Sequence, residues 1–333
     1  MSSKASLPLR AFASRSPRAP RSIPSRRAQQ GVGLVELMLA LVLGLFISAM
    51  ALEYFLASRS TLNTTSAVSY LQESARHVTR RLQPLVRNAG FSGCASVSSV
   101  SDGTGSHALS DSPLTAESDT VAGITYDRLA LQVPALGAQR GWKLGASVAQ
   151  GDTSLTLEDY TSGTLETDSV VLISDCESGD IARLSGDGNN SLDLSSAVEH
   201  GYGGTIQTQA YVYPLQRWYL LLSQADDDSP VRLCLNGEDV DGDPAAGCGE
   251  EVARYVEALD LTFDTASGSG SASRFAVERS VAEVEAANDW SSVRRIHISL
   301  TLKTPPTINV EGEGNGELQR TFDITLSPRN IGL

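Results

Sequence analysis

Glu36 is the only charge in an otherwise apolar run from Val32 to Leu52, and it stands five residues after Gly31. A carboxylate there needs a cation, because a lone charge at the centre of a bilayer costs about 2.5–3.5 kcal/mol on insertion scales. Cys94, Cys176, Cys234 and Cys248 form a second reactive set. They contain no CxxC pair, which argues against zinc or a redox motif, and outside the cytoplasm they read as two disulfides. A third set is Asp239, Asp241 and Asp243, with Glu250 twelfth counting from Asp239, a spacing that suits oxygen ligands of calcium. Pro244 stands sixth, where such a loop turns on glycine, and no helical pattern flanks it. The expectation is a solvated acidic hairpin tip with no metal.

The sequence carries no GxSxG, HExxH or phosphate loop after its apolar run, so neither a catalytic set nor a cofactor is assigned. His77 falls on the polar side of a helical pattern and His297 on a strand beside Arg295, and both read as surface residues. Four cysteines allow three pairings. The nested choice, Cys94 with Cys176 and Cys234 with Cys248, is favoured by proximity along the chain.

Elements must position these residues. Val32 to Leu52 is 21 residues, about 31 Å of helix, enough to cross a bilayer core. Lys4, Arg10, Arg15, Arg18, Arg21, Arg26 and Arg27 precede it without one acid, which places the N-terminus in the cytoplasm and the rest of the chain outside it. Removing those seven from the 26 basic residues leaves 19 against 39 acidic ones, a net −20. A body that acidic repels nucleic-acid phosphates, so no nucleic-acid partner is expected. The overall make-up, 41% hydrophobic and 20% charged, is that of a globular chain.

Beyond the span, Leu71, Ala75, Val78, Leu82 and Leu85 recur at spacings of 4, 3, 4 and 3, an amphipathic helix that should end near Arg87 with Asn88-Ala89-Gly90 as its stop and Pro84 as a potential kink. From Phe91 short β-like runs follow, including 128–133, 154–157, 169–173, 218–222, 231–235, 293–302 and 321–326. Alternation is clearest at Ile296, Ile298, Leu300 and Leu302. SGDGNN (185–190), SGSGSAS (267–273) and EGEGNGE (311–317) read as loops or hairpin turns. The expected organisation is a leader at 1–31, a membrane-spanning or filament-core helix at 32–53, its amphipathic continuation at 54–90, and a β-rich domain at 91–333.

The stretch Gly31, Val32-Gly33-Leu34-Val35-Glu36-Leu37 resembles the class III signal of type IV prepilins and type II secretion pseudopilins. That resemblance implies cleavage by a prepilin peptidase between Gly31 and Val32, N-methylation of Val32, and pairing of Glu36 with the freed amine of a neighbouring subunit during filament assembly. Together with that signal and anchor, "LQESARHVTRRLQPLVRNAGFSGC" (71–94), "VVLISDCESGDIARL" (170–184), "RYVEALDLTF" (254–263) and the closing "VRRIHISLTL" and "FDITLSPRN" resemble the minor pilins called PilW. They imply an α+β fold, a long N-terminal helix packed on an antiparallel β-sheet domain. They also imply a subunit that primes a type IV pilus or sits at its tip, with other minor pilins, the major pilin and a tip adhesin as partners. Its place would be the inner membrane, single-pass with a periplasmic domain, and then the cell-surface pilus. The alternatives are a GspJ-like minor pseudopilin and a signal-anchored periplasmic binding protein or adhesin.

Overall fold

The computed structural model describes residues 33–106, 109, 113–134, 141–203, 209–239, 247–267, 274–312 and 314–331, and the statements below are made of these. The chain divides into two compact units, Met1–Ala57 and Ser58–Leu333. In the first, the described residues after Gly33 belong to helix α1 (Leu34–Asn88), and all of them, with Gly33, are exposed. Leu, Val, Ile, Phe and Met crowd all sides of this part of the helix, the pattern of a rod meant for lipid or for other helices rather than for one face of a core. Its one described serine, Ser48, bonds back to the Gly44 carbonyl at 2.8 Å.

In the second unit α1 becomes amphipathic. Ala67, Leu71, Ala75, Val78, Leu82, Leu85 and Val86 are buried, the stripe that the 4-3-4-3 spacing predicts. The helix ends at Asn88 because Gly90 takes a left-handed conformation (φ +68°) and turns its N–H to the Gln132 carbonyl. Asn330 Nδ2 donates to the Arg87 carbonyl at 3.2 Å, capping one of the last carbonyls that have no helical partner.

The remaining strands are β1 (Val100–Asp102), β2 (Leu114–Val121), β3 (Ile124–Pro134), β4 (Trp142–Lys143), β5 (Ser154–Thr156), β6 (Val170–Ser174), β7 (Gly179–Gly188), β8 (Ser191–Leu194), β9 (Tyr211–Ser223), β10 (Arg232–Asp239), β11 (Glu250–Arg254), β12 (Val256–Ser267), β13 (Arg274–Ser280), β14 (Val293–Lys303) and β15 (Gln319–Leu326), with a short helix α2 (Val281–Ala287) between β13 and β14. They form an eleven-stranded sheet ordered β11-β10-β9-β6-β7-β8-β5, with β3 and β4 also on β9 and β2 on β3, and a four-stranded sheet ordered β13-β12-β14-β15. Pairing is antiparallel except that β1 runs parallel to β7.

Two departures from the sequence reading stand out. The expected single half-covered sheet is instead bent through β9, whose thirteen residues pair with β10 and β3 at one end and with β6 and β4 at the other. Around that second end the strand path β4-β9-β6-β7-β8-β5 closes on itself through the Leu144–Leu157 bridge, helped by Gly145 N–H to Thr156 O and Glu158 N–H to Lys143 O, each 2.8 Å. Leu155, Leu157, Val171, Ile173, Leu184, Leu192 and Tyr202 fill this small barrel, which therefore has a core of its own and no lumen. The second departure is α2, a helix with a capping box in which Ser280 N–H donates to Glu283 Oε2 at 2.8 Å.

The main core is one apolar cluster that joins Leu71, Val78 and Leu82 of α1 with Leu129 and Leu220 of one sheet and Leu259, Phe263 and Ile298 of the other. Where the chain leaves α1, Gly93 (φ +78°) lies so close to β6 that a Cβ would fall 2.5 Å from Ser174 Oγ. Gly93→Ala is thus expected to lower the unfolding free energy by about 1–3 kcal/mol through backbone strain and this collision. Gly186→Ala, whose Cβ would meet nothing nearer than Asp193 Oδ2 at 3.8 Å, is expected to change it by under about 0.5 kcal/mol. Urea unfolding of the full chain in detergent, followed by circular dichroism, compares the two.

Candidate functional site

Three arrangements combine reactive or exposed groups. The first is the apolar part of α1. Its mean hydropathy reaches 2.4 over eighteen residues, and it is the one described helix long and apolar enough to cross a membrane. Glu36 lies in its first turn, exposed, with its N–H bonded to the Gly33 carbonyl at 2.9 Å. An acid at that end of a helix faces the positive end of the macrodipole and the unpaired N–H groups of the first turn. Gly31 and Val32, the expected cleavage residues, lie outside the described residues.

The second arrangement clasps the end of α1 to β6. Cys94 is bonded to Cys176 with Cα atoms 4.5 Å apart, and Ser174 Oγ donates to the Ser92 carbonyl. Asp175, buried, accepts the N–H groups of Glu177 (2.7 Å) and Ser178 (2.8 Å) and so fixes the turn that aims Cys176. Closing a loop of 82 residues is worth about 4–5 kcal/mol on the loop-entropy account. Cys234 is bonded to Cys248 across 14 residues, so the two bonds are the pairing that proximity along the chain favours. The cleft beside the first bond, about 420 Å³, is lined by Asn88, Phe91, Ser96 and Arg329 among others.

Only part of the calcium-like spacing falls on described residues. Asp241 and Asp243 lie outside the described residues, and of Asp239 only the backbone, at the end of β10, is described. Glu250 opens β11, and both of its carboxylate oxygens are engaged by Arg81 of α1, Nε donating to Oε1 at 2.7 Å and Nη2 to Oε2. Its role here is to tie helix to sheet. Among the described residues no group of three or more His, Cys, Asp or Glu side chains is placed to hold a metal ion.

The third arrangement was not foreseen. His297 is half-buried rather than a free surface residue: Nε2 lies 3.1 Å from Asp264 Oδ2, and Nδ1 lies 3.1 Å from Thr325 Oγ1. Asp264 is buried at a bulge in β12, accepts the Glu278 N–H at 3.1 Å, and lies 3.5 Å from Arg295. A second buried acid, Asp180 of β7, accepts His200 N–H (3.0 Å), Glu199 N–H (3.2 Å) and the Tyr202 hydroxyl (2.5 Å), and faces His200 Nδ1 at 3.1 Å. The sequence offered one weak signal for these sites, an acid breaking an apolar strand pattern, as in Gly179-Asp180-Ile181 and Phe263-Asp264-Thr265. Burial, and then the Asp180 carboxylate, pushes the Tyr202 phenol upward. Burial together with Asp119 pushes Tyr126 up to about 12.

No family model matches this chain, and no curated protein matches it either.

Burial alone would raise the Asp264 carboxyl, but contact with His297, the Glu278 N–H and the charges of His297 and Arg295 hold it below the usual carboxylate range. A carboxyl lowered by folding stabilises the protein at pH values above its unfolded pKa of about 3.9, and that contribution disappears as pH falls through the lower folded value. Asp264→Asn is therefore expected to cost about 1.5–3 kcal/mol near pH 6, the worth of hydrogen bonds to a charged group, and to narrow toward the wild type between about pH 4 and pH 2. Denaturant titrations at several pH values would show this, and a gap independent of pH would refute it.

Proposed function

We propose that this chain is a PilW-type minor pilin, a non-enzymatic subunit that primes a type IV pilus or sits at its tip. The observation that carries the reading is a helix whose first part is apolar on every side, with a single acid in its opening turn directly after Gly31-Val32. A disulfide-bonded antiparallel domain following that helix supports it, since such bonds persist outside the reducing cytoplasm.

On this reading the peptidase hydrolyses the Gly31–Val32 bond on the inner face of the membrane and leaves a new α-amine on Val32, which becomes methylated, with Glu36 the fifth residue counted from it. While the subunit waits in the inner membrane, Glu36 lies shallow enough to reach the interface. On extraction into the filament the apolar rods pack together, and the carboxylate meets the amine of an adjacent subunit. Each charge then offsets the desolvation of the other, whereas either alone would be left buried and unpaired. Other minor pilins and the major pilin supply the neighbouring rods, and the sheet domain faces outward toward a tip adhesin.

Two measurements test this. N-terminal sequencing of the native protein is expected to begin Val-Gly-Leu, and an intact leader would instead indicate a simple signal anchor. Glu36→Ala is expected to leave export and disulfide formation unchanged while lowering surface pili at least about tenfold, the equivalent of 1.4 kcal/mol in subunit docking. Normal piliation in that variant would remove the assembly role of Glu36.

A further inference from the structure

Charge is divided unevenly between the second part of α1 and the strands. Residues 58–88 hold five basic side chains, Arg59, Arg76, Arg80, Arg81 and Arg87, against one acid, Glu73. Residues 89–333 hold 14 basic against 36 acidic, a net −22. The basic residues are also aligned. Arg76, Arg80 and Arg87 fall within about 40° of one another at 100° per residue and span about 16 Å of helix, on the side opposite buried Leu71, Val78 and Leu85.

All three are exposed. Arg76 has only a 3.8 Å contact with Glu73, an open surface pair of little worth. Arg80 and Arg87 make no ion pair with any described residue, whereas Arg81, off the stripe, is used by Glu250. A helix face kept for solubility alone gains by mixing signs at i,i+4, yet Arg76 and Arg80 stand at that spacing and repel each other. Carboxylates brought up from outside would relieve that repulsion, and the guanidinium fork suits them.

We infer that this arginine face of α1 is a docking surface for the acidic sheet domain of a second copy of the chain. The charge complementarity is contained in the molecule itself, a basic stripe on a body of net −22. A nucleic acid fits less well, because a polyanion longer than the stripe would run onto that acidic body within a Debye length. Since the two patches differ, the contact is heterologous and joins copies head to tail. This surface lies beyond the apolar rod and does not depend on cleavage at Gly31.

The test uses the full chain in non-ionic detergent, which keeps the apolar rod from driving association; the basic leader is common to all samples. Sedimentation velocity is expected to show self-association that weakens at least about tenfold between roughly 50 and 500 mM salt. Arg80→Glu with Arg87→Glu should abolish it with circular dichroism and thermal melting unchanged, and Arg80→Lys with Arg87→Lys should retain it. A head-to-tail contact also predicts that the Glu variant, still acidic on its sheet domain, binds wild type while failing to bind itself. Self-association equal to wild type in the Glu variant overturns the proposal, as does a wild type that stays monomeric in low salt. Capture of a single-stranded oligonucleotide through Arg80 and Arg87, without self-association, would make the face a nucleic-acid surface instead. N-terminal sequencing, which decides the filament reading, is untouched by any of these outcomes.

Discussion

Leu71, Val78 and Leu82 are fully buried under strands of both sheets, and each contributes about 1.5–3 kcal/mol by leaving water. Because Leu129 and Leu220 belong to one sheet and Leu259 and Ile298 to the other, the helix stripe is a wall that the two sheets share. Remove it and each sheet would expose an apolar face. Three further long-range ties, Arg81 to Glu250, Cys94 to Cys176 and Asn330 to the helix end, hold α1 or the chain just after it against the strands and the turns that join them. They fix the position of a contact that hydrophobic burial supplies.

The barrel around Tyr202 has its own apolar cluster and is joined to the helix-covered part through β9 and β6. β6 shows why the joint holds. Val171 and Ile173 face the barrel interior while Val170 and Leu172 face a second cluster with Ile181 and Leu215, so all five of its residues are buried. Ring closure also removes free edges from a region rich in short strands, where unpaired backbone would invite pairing with other chains.

Features set by local spacing were legible in the sequence, and those set by distant partners were not. The buried stripe of α1, its stop at Gly90 and the alternation of β14 follow from periods of 3.6 and 2 and from glycine's freedom at positive φ. The role proposed for Glu36 rests on the same kind of local signal, its distance from Gly31. The capping box of α2, Ser280 with Glu283, was present as a signal but covers only seven helical residues inside a β-rich stretch. The barrel closure, the parallel pairing of β1, and the engagement of His297 by Asp264 depend on residues dozens of positions apart. No local pattern encodes them. Glu250 is the instructive case: counted along the chain it is the twelfth position of an acidic loop, while in space it belongs to Arg81, 169 residues away.

Apolar helices alone specify a bundle poorly, because rods coated with Leu, Val and Ile pack nearly as well after a slip of three or four residues. A charged pair in an apolar seam changes that. In a filament of the kind proposed, any slip leaves the Glu36 carboxylate or the neighbouring amine without its partner in a low-dielectric surrounding, a loss of about 3–5 kcal/mol when one member of a buried pair is missing. The pair therefore need add little net affinity to be decisive: packing supplies the attraction, and the cost of misalignment supplies the register. In the docking role proposed for it, the arginine stripe on the second part of α1 would act at the opposite limit, exposed to water and screened by salt. On these two proposals, one helix carries a short-range interaction that selects alignment and a long-range one that brings subunits together.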